Sequence, residues 1–119
     1  MSAPCYVCAI VVDRSGRLLL ERRYPAQRHA ARRLTCFGGR RVAHETVVAA
    51  LRRELREELA WVPRRFGPPV DLLQGERWIA RFHLVRVRRL PVVPRRGPGG
   101  WPCSVAAGRY RHPVLSAWH

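Results

Sequence analysis

The stretch from Gly38 to Trp61, GGRRVAHETVVAALRRELREELAW, constrains this chain more than any other. It holds four of the eight acidic residues, Glu45, Glu54, Glu57 and Glu58, in a protein with 23 basic ones. Thr46 is a suitable N-cap for a helix running to about Leu59. Val48, Leu51, Leu55 and Leu59 recur at spacings of three and four, so they should share one face and pack on a sheet. At 100° per residue, Glu54, Glu57 and Glu58 fall within an arc of about 100° beside that face. Three like charges so close repel one another. A hard divalent cation relieves the repulsion, and oxygen ligands suit Mg²⁺ or Mn²⁺. Arg53, beside the acidic arc, can orient Glu45 or Glu57 through a bidentate contact. Taken alone, an R-E-L-R-E-E run would be a solvated amphipathic helix with ion pairs. Ion pairing, however, gives no reason for Gly38-Gly39 and Glu45 upstream.

The rest of the chain can be assembled around this segment. Residues 5–12 are apolar and β-branched, as expected of a strand covered on both faces. Asp13-Arg14-Ser15-Gly16 signals a turn, and residues 17–24 return as the second strand of a hairpin. Residues 25–33 read as a basic loop, where Arg28, Arg32 or Arg33 could meet a phosphate. Leu34 to Phe37 is a short strand feeding the glycine pair. Val62-Pro63 and Gly67-Pro68-Pro69 end the helix and open a loop. A short strand over 70–74, a turn at Gly75 and a longer strand over 76–88 follow. In the longer strand Trp78, Ala80, Phe82 and Leu84 should share one face, with Arg81 and His83 on the other. Residues 91–103 are a proline- and glycine-rich linker, and the tail from Ser104 has little periodicity.

At 119 residues the chain has room for one core. Every basic residue is arginine, and the net charge of +15 is unevenly spread, with nine arginines and no acid after residue 76. That field favours polyanions such as nucleotides, and it admits nucleic acid and anionic membrane surfaces on the same ground. A solvated basic surface reflecting coding bias is an equal reading. Cys5 and Cys8 form a CxxC in spelling only, because residues three apart in a strand point to opposite faces. Reduced, buried thiols are expected instead of zinc. The first residues lack a secretory pattern, and the run from Cys5 to Val12 is too short to span a bilayer. These features point to a cytoplasmic location with no membrane role.

The order Gly39, five residues, Glu45, seven residues, Arg53-Glu54-Leu55-Arg56-Glu57-Glu58 resembles the Nudix box, here at residues 39–61. The likeness in element order covers roughly residues 4–90. It implies an α/β/α sandwich with a mixed sheet and a loop–helix–loop box. It also implies Mg²⁺- or Mn²⁺-dependent cleavage of the pyrophosphate linkage in a nucleoside diphosphate derivative, by metal-activated water. Glu54, Glu57 and Glu58 would be metal ligands, one of them also activating the water. Glu45 and Arg53 would support them, with Gly38 and Gly39 contributing backbone near the metal.

Two positions differ from the family pattern. His44 stands where glycine usually precedes the first glutamate, and Ala60 replaces the glycine that closes the helix. If that closing position needs φ > 0, alanine costs on the order of 1 kcal/mol there. Residues 1–90 read as the catalytic domain and 91–119 as a linker and basic tail, packed on or appended to it. The tail's composition matches an eroded ending without the family's closing helix. A late carboxylate could come only from Asp71 or Glu76. An alternative function is a non-catalytic Nudix-fold module holding a nucleotide or nucleic acid, with Trp78, Phe82 and Trp101 stacking on bases. Oxidised nucleoside triphosphates, ADP-ribose, dinucleoside polyphosphates and capped RNA all remain open as substrates. Residues 25–34, 63–75 and the tail are the segments that would choose among them.

Overall fold

The apolar run near the N-terminus becomes the middle of the molecule. In the computed structural model, which describes residues 3–22, 34–92 and 105–109, β1 (Tyr6–Val12) pairs along its whole length with β6 (Arg77–Arg86) in parallel. Its other edge is shared. β4 (Phe37–Arg40) takes the Tyr6–Ala9 half, and β2 (Arg17–Arg22) takes Val11 and Val12, both antiparallel. β3 (Leu34–Thr35) pairs with β2 where β1 and β2 part, and β5 (Pro69–Gln74) closes the opposite edge against β6. The result is a mixed seven-stranded sheet with one α-helix among the described residues, α1 (Val47–Leu59), packed on it. The expected Nudix-like sandwich with a mixed sheet is therefore the fold that forms.

The hairpin turn forms as expected. The Asp13 carboxylate accepts from the backbone N–H of Ser15 and Arg17, each at 2.9 Å, and Gly16 takes φ 82°. The helix begins as read, with the Thr46 hydroxyl accepting from the Ala49 N–H at 3.1 Å. Ala50, Leu51, Leu55 and Leu59 are buried against Val7, Ala9, Val11, Leu19, Phe37 and Val85. Val48 is the exception: it is exposed, and Val47 packs against the core in its place.

Three other expectations need correction. The glycine pair was read as following a strand, but Gly38 and Gly39 lie within β4, paired with Cys8 and Val7. Trp78 was assigned to the face of Ala80. Leu72 pairs with Ala80 and Leu73 with Trp78, so an extra residue in β6 forms a bulge there. Trp78 consequently meets Arg81, which lies 4.5 Å over its ring, and donates its indole N–H to Asp71. The aperiodic tail contains a strand, β7 (Val105–Arg109), which pairs with β2 from Arg17 to Glu21. The loop at 25–33 with Arg28, Arg32 and Arg33, most of the 91–103 linker including Trp101, and residues 110–119, where a closing helix would fall, lie outside the described residues.

No helix among the described residues is long and apolar enough to cross a membrane. Cys5 is exposed, contrary to expectation, while Cys8 and Cys36 are half-buried. Burial pushes the Cys36 thiol up to about 11. For Cys8, burial first and then Cys36, Glu58 and Glu54 push the thiol up to about 12. Both stay protonated and unreactive at neutral pH.

Candidate active site

The loop before α1 is tied down by its own polar groups. The Glu45 carboxylate accepts from the Val42 N–H at 2.8 Å, and the Glu45 N–H donates to the Val42 carbonyl at 3.1 Å. Arg41 donates to the carbonyls of Pro4 and Glu45, each at 3.0 Å. Holding the loop so tightly requires a left-handed residue at its tip, and His44 takes φ 70° there. At the far end of the helix Ala60 takes φ 52° and donates its N–H to the Arg56 carbonyl. These are the positive-φ non-glycine residues among those described, and they coincide with the two departures from the box pattern.

Arg53 joins the loop to the helix. Its Nε donates to Glu45 Oε2 at 2.8 Å and its Nη2 to Glu45 Oε1 at 2.9 Å, a bidentate pair. Nη1 donates to Glu54 Oε1 at 2.9 Å and lies 3.6 Å from Glu57 Oε2, while Nη2 also reaches the Arg40 carbonyl. The hydrogen bonds from Arg53, more than any other contact, hold the Glu45 carboxyl down to about 2. The same contacts raise the Arg53 guanidinium above its ordinary value.

The three helical carboxylates meet different surroundings, and the helical projection explains why. Measured from Leu51, Glu58 falls at about −20°, Glu54 at about −60° and Glu57 at about −120°. Ala50 lies at about −100° on the same wheel, so the buried arc extends over Glu54 and Glu58 and ends short of Glu57. Accordingly the Glu57 side chain is 51% exposed and that of Glu54 15%. Glu58 Oε2 is buried with no hydrogen-bond partner. The acidic patch therefore lies partly within the core-facing arc.

Glycine makes room for this arrangement. A Cβ at Gly39 would stand 2.6 Å from the Glu54 carboxylate. A Cβ at Gly38, which has φ 150°, would run into the Val7 carbonyl oxygen. Gly38 lets β4 approach β1, and Gly39 leaves the space that the Glu54 carboxylate fills.

One further acid enters here that sequence reading passed over. Glu21, on β2, contacts Glu58, which also touches Glu54. Burial, then Glu21 and Glu54, push the Glu58 carboxyl up to about 9. The signal was present in the sequence, because Glu21 lies two residues beyond the core residue Leu19 in an alternating strand, on the face toward the helix. Asp71 instead is bound by Arg81 at 2.8 and 2.9 Å on the edge strand, and Glu76 lies in the turn between β5 and β6. His83 is buried, with Nδ1 2.7 Å from the Gly67 carbonyl and its ring edge-on to Phe66. Trp78 is engaged by Asp71 and Arg81, and Phe82 is half-buried.

Among the described residues, no group of three or more His, Cys, Asp or Glu side chains is placed to hold a metal ion. The chemistry of the side chains around Glu58, with Glu54 and Glu21 beside it, is nevertheless that of a hard-cation donor set. All are carboxylates, and one buried oxygen there has no partner.

The sequence profile of the NUDIX domain matches residues 4–101. Among solved structures, the MutT protein of Methanosarcina mazei is 20% identical, with a TM-score of 0.61, over 89% of this chain and 78% of that one. The MutT NUDIX hydrolase of Burkholderia pseudomallei is 20% identical, with a TM-score of 0.57, over 98% and 95%. The NUDIX hydrolase of Nitrosomonas europaea is 18% identical, with a TM-score of 0.60, over 97% and 85%. No curated protein matches the chain in sequence.

Proposed function

The chain belongs to the Nudix family, and from that premise we propose that it hydrolyses the pyrophosphate linkage of a nucleoside diphosphate derivative with Mg²⁺ or Mn²⁺. Family membership supports pyrophosphate hydrolysis in general. The observation that carries the metal-dependent form is Glu58 Oε2, buried without a partner among carboxylates. Glu54, Glu57 and Glu58 would hold the cation, and Gly38 and Gly39 would contribute backbone near it. When bound, the cation supplies Lewis-acid polarisation of the anhydride and lowers the pKa of water.

The chain's own residues do the rest. Arg53 fixes Glu45 by two hydrogen bonds and Glu54 by a third, so the helix keeps one rotational setting relative to the loop. Glu54 is held against the bare backbone of Gly39. One of the three helical carboxylates receives the proton of the attacking water. Glu57 is the most exposed of the salt-bridged acids in the box, so its carboxylate is accessible from solvent. Nucleotide binding accords with the family, and the arginine-rich surface favours phosphate.

The test is a phosphate-release screen over nucleotide substrates with Mg²⁺ and with Mn²⁺, run beside E57Q and E58Q. Metal-dependent turnover that both variants lose while keeping their fold is the expected result. Unchanged turnover in both would remove these roles. Salt-dependent oligonucleotide binding without metal-dependent hydrolysis would replace the enzyme with a binding module.

A further inference from the structure

Glu21 lies outside the box in sequence, yet the sheet carries it to the box helix. Its backbone is fixed on both edges, paired with Thr35 of β3 on one side and Val105 of β7 on the other. It lies at the fork where β1 and β2 separate, and on the strand face of Leu19, which packs under α1. From that face its carboxylate reaches Glu58. Glu58 in turn touches Glu54 and ends in a buried oxygen that no protein group satisfies.

Glu58 is reached by Glu21 from the sheet and by Glu54 from its own helix, and carboxylate oxygens are the donors that a hard divalent cation takes. A rigid strand position suits a ligand, because a metal site needs its oxygens held at fixed separations. The box helix alone cannot surround a cation, since its side chains all arrive from one direction. Glu21 arrives from the sheet, opposite α1.

Resting on the metal-dependent reading above, we infer that Glu21 is a metal-ligating residue, supplying from β2 a carboxylate oxygen to the divalent cation held by Glu54 and Glu58. It completes from the sheet side a site that the box supplies from the helix side. Removing it should weaken the cation's hold while leaving the helix, the Arg53 contacts and the fold in place.

Mn²⁺ binding tests this without any substrate, by titration followed through the paramagnetic signal of free Mn²⁺. The full chain is compared with E21Q, E58Q and the surface control E76Q. E21Q keeps the volume and removes the charge, and its dissociation constant should rise tenfold or more. Its melting temperature without metal should not fall, and E76Q should bind as the unmodified chain does. Should E21Q fail to fold, E21D takes its place, with the carboxylate drawn back by one methylene and a weaker affinity again expected. Unmodified affinity in the folded variant, with E58Q impaired, overturns this inference alone. Absence of Mn²⁺ binding by the unmodified chain overturns the metal-dependent reading along with it.

Discussion

Two carboxylates of the box, Glu45 and Glu58, have been driven in opposite directions. Glu45 is gripped by Arg53 and held down to about 2, so it is charged at any physiological pH. Glu58 is buried beside Glu21 and Glu54 and pushed up to about 9, so without a cation it keeps its proton. One corner of the box is a permanent ion-pair clamp that sets geometry. The other is a pocket of like groups that a cation would relieve. Charges alone do not separate the two, since both residues are glutamates in an arginine-rich segment. A guanidinium beside one and burial of the other do.

The largest effect that would break this comparison is on turnover. E58Q should lower metal-dependent hydrolysis by about a thousandfold or more, whereas losses from the clamp should be far smaller. Equal losses at the two corners, measured as kcat/KM on the best substrate, would erase the distinction.

Stability without metal should move the other way. A carboxyl whose folded value lies above its unfolded one retains its proton while the unfolded chain releases it. The fold therefore loses stability as pH rises from about 4.5 toward 9. E58Q removes that loss and should stabilise the metal-free protein by on the order of 2 kcal/mol at pH 8, with little effect at pH 4. Urea unfolding at the two pH values measures it. Glu45 has the reverse sign: its contribution is present above its unfolded value and fades only as pH falls toward 2.

Replacing Arg53 sharpens the other corner. R53K cannot reproduce the bidentate contact with Glu45 while also reaching Glu54, and should cost roughly tenfold in kcat/KM. Its pH dependence of stability between 4 and 8 should stay like that of the unmodified chain, because Glu58 is untouched. A change in that window would mean that the corners are coupled.

The smallest effects concern the ends of the box. H44G and A60G each replace a side chain held at positive φ by the residue that adopts it freely. Each should raise stability by about 1 kcal/mol, partly offset by the greater freedom of glycine in the unfolded chain. Chemical denaturation of the two variants and their double mutant checks this, and additivity is expected because the sites sit at opposite ends of α1.

These details also show where the sequence was readable. Thr46, Leu51, Leu55 and Leu59 gave the helix correctly because capping and a 3.6-residue period are local properties. The strain at Ala60 was visible too, because a helix end dictates its own backbone angle. Glu21 was not, since finding its partner requires knowing which strands pair and in what register. Trp78 was placed on the wrong face because one bulge residue reverses every side chain before it. The strand at Val105–Arg109 was hidden because its pairing with β2 spans most of the chain. The burial of Glu58 lay between these cases. The wheel contained it, but only Ala50 in the core reveals how far the buried arc extends.

The central place of β1 has a consequence for how the protein is made. Its hairpin partner β2 follows within a few residues, but Tyr6 must wait for Ala80 before the parallel edge can close. At the usual pace of synthesis, about 5–20 residues per second, that delay lasts roughly four to fifteen seconds. During it the emerging chain carries an apolar edge strand and a half-covered helix, both able to stick to other chains. This non-local closure therefore makes folding slow and dependent on what shields β1 until β6 arrives.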